Sequence, residues 1–456
     1  MARLQSKKLT QGVIWKQLII FALPIFLSSV FQQLYNTVDS AIVGQVLGTQ
    51  AFAAVSSASH VVNIVIAFFV GISTGAGIVI AQFFGAGEEE NLQKAVHTAM
   101  LLSLLAGVVL TFLGVWVAPY IVAWTKTPYD IVPYLIPYLK VYFIGTLPML
   151  IYNLGSGLLR AVGDSQRPFW FLVASSVVNI LLDYLFVVIL GFGVTSAAWA
   201  TTISQVLSAI LVLITFTKTK QVYRMRWSKL RIHGAILKEI VRVGLPAGVQ
   251  STISTFAHLL MNTKTNMLGT IAVAGVGAVM KIDNLVFLSI EAVGLATTTF
   301  VAQNFGARMP QRARRSIRVS IVLTLAMAFV LTVAVYLLRY PLIHLFVDDQ
   351  DTVACALTVL YCILPGYVLF APANTLSCAL RGGGASVAPM AINLFCYCVL
   401  RMFLMWVIMP LWPDVRLVAL CYPISWALAI VLSVAYYYHG RWAKRWEPDQ
   451  SLTQKP

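Results

Sequence analysis

The stretch Leu18–Gly44, LIIFALPIFLSSVFQQLYNTVDSAIVG, is long enough to cross a bilayer, since a transmembrane helix needs about 20 mostly apolar residues. Polar side chains interrupt it: Gln32, Asn36 and Asp39 recur at helical spacing and therefore share one face. An ionised Asp in hydrocarbon costs about 3 kcal/mol or more, so we expect it to face a cavity, a partner or an ion. The alternative is a carboxylate held by neighbouring donors or lying among the lipid head groups.

The composition is that of an all-α polytopic membrane protein. Of the 456 residues, 59% are hydrophobic and only 11% are charged, whereas a soluble domain carries about 25% charged residues. Hydrophobic runs recur along nearly the whole chain and predict about twelve transmembrane helices, with no room for a large soluble domain. The runs lie at roughly 14–44, 52–84, 96–118, 132–154, 168–190 and 194–216, and then at roughly 240–262, 271–305, 317–338, 355–379, 389–411 and 417–438.

The formal charge of +16 predicts a membrane topology rather than a nucleic-acid partner. If the N-terminus is inside, 25 of the 32 Lys and Arg residues fall in inside segments and only four fall in outside loops. Under the positive-inside rule this bias places both termini in the cytoplasm. We therefore expect a multi-pass protein of the cell (plasma or inner) membrane.

The chain repeats itself at an offset of 221 or 222 residues. Three motifs recur in register: FALP ending at Pro24 and VGLP ending at Pro246, AQFFGA at 81–86 and AQNFGA at 302–307, and LRAVGDSQRP at 159–168 and LRGGGASVAP at 380–389. Each half contains about six helices, an even number, so both halves start on the same side of the membrane. This arrangement predicts two lobes related by a pseudo-twofold axis along the membrane normal.

The repeat also predicts the domain boundaries. Residues 1–217 form an N-lobe with helices 1–6, and residues 240–440 form a C-lobe with helices 7–12. The basic segment 218–239 is a cytoplasmic linker, which either lies on anionic lipid or is a solvated tether. Residues 441–456 form a cytoplasmic tail.

These motifs and their second-half copies resemble the MATE family, the multidrug and toxic compound extrusion transporters. The resemblance rests on FQQLYNTVDSAIVG (31–44), AQFFGAG (81–87) and LRAVGDSQRP (159–168), and it covers about residues 10–440. It implies a two-lobe antiporter, not an enzyme, that exports organic compounds in exchange for Na⁺ or H⁺ and needs no other cofactor. The expected substrates are drugs or metabolites, mostly cationic. The expected state is a monomer in the lipid bilayer, without nucleic acid.

Within the family, the resemblance is closer to the DinF-like branch than to the NorM-like branch. The DinF-like pattern has an Asp in helix 1, an Asn-x-x-x-Asp pair in helix 5 and a Thr in helix 6. Here Asp39, Asn179, Asp183 and Thr201 match it. The NorM-like pattern has a Glu in helix 7 and an Asp in helix 10, but QSTISTFAHLL (250–260) and LPGYVLFAPANTLSCAL (364–380) contain no carboxylate.

The direction of the helices agrees with this site. Helices 1 and 5 run outward and helix 6 runs inward, so Asp39, Asp183 and Thr201 can meet at one depth, and Asn179 points the same way as Asp183. Two carboxylates with neutral oxygens suit Na⁺. Two close carboxylates also hold one proton readily, because a charge on one disfavours a charge on the other. The residue types leave both coupling ions open.

Further polar side chains are candidates for a substrate cavity: Gln32, Asn36, Lys281, Asp283, Glu291 and Arg401. In helix 8 of the predicted topology, Lys281 and Glu291 share one side and Asp283 projects to the other. One interpretation is that the buried charges form internal ion pairs, for example Asp283 with Arg401. The other is that Asp283 or Glu291 faces the cavity and attracts a cationic substrate.

Three other functions were weighed. A lipid-linked precursor flippase of the same wider superfamily is the closest alternative, but extra helices and a strongly cationic cavity are not evident here. A membrane acyltransferase would rest on the H-x₄-D spacing of His344 and Asp349, which we treat as chance. A non-transporting scaffold would not explain carboxylates at one depth. No Walker phosphate-binding loop occurs, so ATP does not drive the protein directly.

Overall fold

The computed structural model describes residues 9–125, 127–440 and 442–443, apart from the side chains of residues 60 and 61. Within these ranges the chain is helical and has no β-strand. The α-helices are α1 (Ile14–Leu47), α2 (Thr49–Ala86), α3 (Glu89–Trp124), α4 (Val132–Ile144), α5 (Thr146–Ala161), α6 (Gln166–Asp183), α7 (Thr195–Lys218), α8 (Gly234–Asn266), α9 (Thr270–Gly306), α10 (Pro310–Leu337), α11 (Arg339–His344), α12 (Gln350–Ile363), α13 (Tyr367–Gly382), α14 (Val387–Leu394), α15 (Arg401–Phe403) and α16 (Val415–His439). Short π-helical turns at Tyr184–Ile189, Phe395–Leu400 and Leu404–Ile408 extend α6, α14 and α15, and 3₁₀ turns lie at Trp227–Lys229 and Leu364–Gly366.

The helices account for the predicted membrane crossings. In the described chain, ten helical segments are long and apolar enough to span a bilayer, and the α4–α5 pair, bent by 46°, makes an eleventh. The remaining long helix is α8, whose 33 residues include the polar side chains of Gln250, Ser254 and His258. With α8, each of the twelve predicted hydrophobic runs coincides with a long helix or with a pair of successive helices.

The turns after α5 and α13 repeat the same backbone geometry. Arg160 and Arg381 lie in the last turns of these helices, as the LRxxG repeat predicts. Gly163 and Gly384 follow in the left-handed region at φ 86° and 90°. The Gly163 N–H donates to the Arg160 carbonyl at 2.9 Å, and the Gly384 N–H donates to the Arg381 carbonyl at 2.8 Å. A left-handed residue after the last turn is the usual way to end a helix, and glycine adopts it without strain.

A second pair of matched turns differs in one residue. Gly87 ends α2 with φ 73°. At the corresponding place after α9 stands Arg308, with φ 55°, the one non-glycine residue of the described chain with a positive φ. Its N–H donates to the carbonyl of Phe305 at 2.9 Å, so the turn forms although arginine disfavours this conformation.

Contacts divide the described chain into two compact units. The first runs from Leu23 to Gly248, and the second joins the stretch up to Ala22 with the residues from Val249 on. The predicted lobes 1–217 and 240–440 follow the order of the helices. The compact units instead take the first turns of α1 into the second unit and the first half of α8 into the first.

Specific contacts explain both exchanges. In the second unit, the Leu9 N–H donates to Oε1 of Gln303 at 2.9 Å, and Arg312 donates to the Gly12 carbonyl at 2.9 Å. In the first unit, Gly244 of α8 lies against the backbone of Gly75 in α2. Residues 9–13 before α1 and the start of α8 are therefore packed parts of their units rather than loose connections.

Candidate functional site

The two carboxylates predicted from the sequence are neighbours in the first unit. Asp39 lies in α1, and Asp183 is the last residue of α6. The Asp183 side chain is completely buried, and the Asp39 side chain is partly buried. The two carboxyl groups are close enough to interact electrostatically. Because an ionised carboxylate has no donor, a direct bond between them requires a proton or a cation.

The backbone changes its winding directly after Asp183. The segment Tyr184–Ile189 is a π-helix, and the Leu190 N–H donates to the Leu185 carbonyl, five residues back, at 2.9 Å. Such wide turns are rare and occur mostly within helices at functional sites. Asp183, directly before the wide turn, is buried, and Tyr184, its first residue, is exposed.

Asn179 and Thr201 supply the neutral part of the predicted site. Asn179 precedes Asp183 by one turn and is almost completely buried. Its Nδ2 donates to Oγ1 of Thr201 in α7 at 3.5 Å. The structure thus brings Asn179 to Thr201 and Asp39 to Asp183, with the i, i+4 spacing in α6 linking the two contacts.

Several oxygens at this place have no hydrogen-bond donor. They are Oδ1 of Asp39, both carboxyl oxygens of Asp183 and Oδ1 of Asn179, all buried among the described residues. None of the ion pairs of the described chain includes either carboxylate. Among the described residues, Oδ1 of Asp39 therefore accepts no hydrogen bond. Buried oxygens without donors are costly unless a proton or a cation satisfies them.

Sequence reasoning missed three tyrosines around the carboxylates. Tyr35 precedes Asp39 by one turn of α1 and lies near it. Tyr138 of α4 lies close to both carboxylates, and Tyr142 lies close to Asp39. The rings of Tyr138 and Tyr142 are stacked, with centroids 6.3 Å apart. Their i, i+4 spacing within one predicted span was a signal for a shared face, but it does not reveal which neighbour that face meets.

A glycine allows α4 and α7 to approach each other at this site. A Cβ on Gly145, at the bend between α4 and α5, would lie 2.8 Å from Oγ1 of Thr202. That hydroxyl donates to the carbonyl of Val141 in α4 at 3.3 Å. Adjacent residues of α7 therefore have two roles: Thr202 joins α4, and Thr201 contacts Asn179.

The other cavity candidates are distributed over both units. Gln32 and Asn36 are exposed on α1 in the first unit, and Gln32 lies next to Tyr35. Lys281 and Glu291 are exposed on α9 in the second unit. Asp283, on the opposite side of that helix, is completely buried, as its helical phase predicts.

An ion pair between Asp283 and Arg401, the example given for one of the two interpretations, is not among the ion pairs of the described residues. Asp283 accepts a hydrogen bond from the hydroxyl of Tyr367. The Nε of Arg401 donates to Oγ of Ser425 at 2.8 Å, and its guanidinium lies 4.3 Å from the ring centroid of Tyr422. Each buried charge thus has its own neutral partner, because a hydroxyl and an aromatic face can stabilise charge without an opposite charge.

The acyltransferase spacing has a simpler structural explanation. Asp349 is the N-cap of α12, and its carboxylate accepts from the N–H of Thr352 at 3.0 Å and from its hydroxyl at 2.8 Å. These bonds hold the pKa of Asp349 below its usual value. His344 lies 3.8 Å from Asp348 rather than from Asp349. The carboxylate of the H-x₄-D spacing therefore has a capping role.

Comparison with known proteins finds relatives over most of the chain. The family model described as MatE matches residues 24–185 and 246–407. A probable multidrug resistance protein YoeA of Bacillus subtilis is 29% identical, covering 95% of this chain and 96% of the relative. A probable multidrug resistance protein NorM of Thermotoga maritima is 27% identical, covering 83% and 82%.

A solved structure has the same fold. It is titled as the outward-facing conformation of a multidrug resistance MATE family transporter of the MOP superfamily. It superposes with a TM-score of 0.88 at 23% identity, over 98% of both chains. The likeness therefore extends over the whole two-half architecture.

The two matched ranges show that the carboxylate pair has no copy in the second half. At the repeat offset of 221 or 222, Asp183 corresponds to Leu404 or Met405, and Asp39, at the offset of 222 that pairs Pro24 with Pro246, corresponds to Met261. All three are buried members of the apolar core of the second unit. The repeat therefore conserves the helices but places the ionisable site in one half only.

Proposed function

Because this chain belongs to the MatE family of transporters, we propose that it is a secondary active exporter of drugs or metabolites. Its relatives of similar length are named as multidrug resistance proteins. The exported compounds are small organic molecules, mainly cationic. Export is driven by antiport of Na⁺ or H⁺ through the cell membrane, in which the protein works as a monomer by alternating access of its two halves.

The adjacency of Asp39 and Asp183 carries this proposal. Two neighbouring carboxylates, three of whose four oxygens accept no hydrogen bond from a described residue, are unfavourable when both are ionised in a membrane interior. Binding of one proton or one Na⁺ removes that cost, and release restores it. An ion from outside that occupies the pair therefore favours a different state of the protein from the empty pair, which is the property that a coupled antiporter needs.

The neighbours of the pair assign the roles of the individual groups. For Na⁺, the ligands are the carboxylates of Asp39 and Asp183 with the neutral oxygens of Asn179 and Thr201. For H⁺, the two carboxylates share the proton, and the hydroxyls of Tyr138 and Tyr142 are nearby donors. The branch resemblance follows the same residues: the coupling site is of the DinF-like type, in the first half.

Substrate contacts are proposed at the exposed polar positions of the helices. Gln32 and Asn36 lie on the same helix as Asp39, so α1 would contact both the substrate and the coupling ion. Glu291 on α9 supplies a carboxylate for a cationic substrate. Asp283 and Arg401 are assigned to the buried interior of the second unit, because neutral partners already hold both charges.

The test is transport by purified protein in liposomes, with a Na⁺ gradient and a pH gradient imposed separately. We expect accumulation of a cationic fluorescent dye against its gradient with one of the two ion gradients and not with a K⁺ gradient. Dissipation of that gradient by an ionophore should stop accumulation at once. Uptake that is insensitive to both gradients, or that requires ATP, would exclude this function.

A further inference from the structure

The linker between the two halves is folded onto the start of α3. The Nδ1–H of His97 donates to the Gln93 carbonyl at 2.6 Å, so its Nε2 is free to accept the N–H of Arg226 at 3.0 Å. The neighbouring hydroxyl of Thr98 donates to the Arg231 carbonyl at 3.4 Å and accepts the His233 N–H at 3.2 Å. His97 and Thr98 are buried, so the linker is docked and is not a solvated tether at this place.

This docking forms a cavity of about 430 Å³, open to solvent on one side, between the first turns of α3 and the linker. Cationic groups dominate its lining, namely those of Lys94, Lys229 and Arg231, with His233 beside them. The one carboxylate in the lining is that of Glu90, which pairs with Lys94 at 2.5 Å. The charges of Lys229 and Arg231 are therefore not balanced by the protein.

Apart from the Glu90–Lys94 pair, the charged side chains of the lining are free for a ligand. Those of Lys229, Arg231 and His233 make no hydrogen bond or ion pair with any described residue, although the backbone of all three is fixed by hydrogen bonds. Arg224, in the same linker, differs because its Nε donates to the Thr217 carbonyl at 3.0 Å. Because the backbone is already fixed, binding has to order only the side chains, which favours a specific site over a diffuse charged surface.

We propose that this cavity binds a phosphate group. A tetrahedral anion accepts several hydrogen bonds at once, and a Lys and an Arg converging on one space match that geometry. The hydroxyl of Ser228, which also lines the cavity, supplies a further donor. The volume exceeds that of phosphate alone and is within the range of about 300–1,000 Å³ found for ligand pockets, so it also accommodates the group that carries the phosphate.

Two sources have this chemistry, a phospholipid head group and a soluble phosphate compound. The linker exposes Trp227 and Ile232 next to the cavity. An aromatic side chain beside cations is typical of a segment at the membrane–water interface. The positive-inside bias places this segment at the cytoplasmic leaflet, where anionic lipids are found. Both sources are accessible from that side.

The experiment measures binding and does not depend on transport. Purified protein in detergent is titrated with short-chain phosphatidylglycerol, short-chain phosphatidylcholine, glycerol phosphate and inorganic phosphate. The double variant Lys229→Gln/Arg231→Gln is compared with Lys220→Gln/Lys238→Gln, which removes the same charge outside the cavity. All four positions are exposed, and thermal unfolding without ligand checks that both variants fold.

We expect the cavity variant to weaken binding by about tenfold or more, with the control within about twofold of the parent protein. If the protein binds phosphatidylglycerol but neither glycerol phosphate nor inorganic phosphate, the ligand is a lipid head group. If it binds glycerol phosphate or inorganic phosphate as tightly as phosphatidylglycerol, the ligand is a soluble phosphate. The proposal is overturned if both variants weaken binding equally. It is also overturned if the parent protein binds phosphatidylglycerol no better than phosphatidylcholine and binds neither soluble phosphate.

Discussion

Gly75 of α2 and Gly244 of α8 pack with their backbones in contact. A Cβ on Gly75 would overlap the Cα of Gly244, and one turn away a Cβ on Gly71 would overlap the backbone of Gly248. Each helix thus presents two glycines four residues apart, the spacing that lets membrane helices approach closely. Because of this contact, the first half of α8 belongs to the first unit.

Gly75→Ala should therefore destabilise the protein by about 1–3 kcal/mol, the usual range for overpacking. The matched control is Gly77→Ala in the same helix, because a Cβ there would lie 3.4 Å from the Gly157 carbonyl oxygen, an ordinary contact. Thermal unfolding in detergent measures both variants. Equal unfolding temperatures for the two would contradict the close approach of α2 and α8.

Asp39→Asn and Asp183→Asn should each fold but lose coupled export. Each variant removes one charge with little change in volume, so the pair no longer has two carboxylates to exchange an ion. We expect gradient-driven efflux to fall by about tenfold or more, within the usual range of coupling energies between linked sites. Its dependence on Na⁺ or pH should flatten as well.

The control for that experiment is Asp283→Asn, which changes a buried carboxylate of the second unit. It should retain the ion dependence of the parent protein, because its partner is the hydroxyl of Tyr367. Normal uphill transport by well-folded Asp39→Asn and Asp183→Asn proteins would show that the coupling site lies elsewhere. Lost stability with full transport per folded molecule would assign Asp39 a purely structural role.

Tyr367→Phe should lower stability by about 1–3 kcal/mol, because it leaves a buried oxygen of Asp283 without its donor. Tyr438→Phe is the matched control, since its ring is exposed and no hydrogen bond of the hydroxyl is lost. Unfolding temperatures of both variants check the prediction. No difference between them would mean that the Tyr367 hydroxyl does not stabilise the buried carboxyl group.

Arg308→Gly should raise stability by about 1 kcal/mol, because glycine adopts a positive φ without the steric cost that arginine has. The reciprocal variant is Gly87→Ala at the matching turn. No atom lies within 4 Å of a Cβ placed there, so any loss of stability reports backbone strain alone. We expect the free energy of unfolding to rise in Arg308→Gly and to fall in Gly87→Ala. Changes in the same direction would rule out this explanation.

Topology can be tested with single cysteines in two connecting segments. Lys220→Cys should react with a membrane-impermeant maleimide only after cells are opened, because the charge bias predicts that the linker lies inside. Tyr129→Cys, whose side chain is 95% exposed in the α3–α4 connection, should react in intact cells. The parent protein is the blank, since its six cysteines all lie within helical segments. The reverse labelling pattern would invert the predicted orientation.

The fold was predictable because the information it needs is local. Runs of apolar residues determine which segments can span a membrane, and the 221–222 offset pairs Arg160 with Arg381 at matching helix ends. The meeting of Asp39 and Asp183 was predictable from helix direction and depth, together with the family resemblance. The depth of a residue in the membrane follows from its position along the helix, because each residue adds a fixed rise, so it can be predicted from the sequence.

Contacts around a helix axis could not be predicted in the same way. The spacing of Asp283 indicated a buried face but not that Tyr367 rather than Arg401 lies opposite, because that depends on how neighbouring helices rotate. The wide turn after Asp183 was missed for a related reason: π-helical winding has no residue signature at Tyr184–Ile189. The unit to which the first half of α8 belongs depends on a glycine contact with α2, distant in sequence.

The absence of a second carboxylate pair in the apolar core around Met261 and Met405 has an electrical consequence for the proposed antiport. One pair that carries one monovalent cation per cycle exchanges it for one singly charged substrate, so no net charge crosses the membrane. The membrane voltage, worth about 2.3 kcal/mol per elementary charge at 100 mV, then contributes nothing to export of such a compound. The concentration ratio of the coupling ion alone sets the steepest substrate gradient that the protein can sustain.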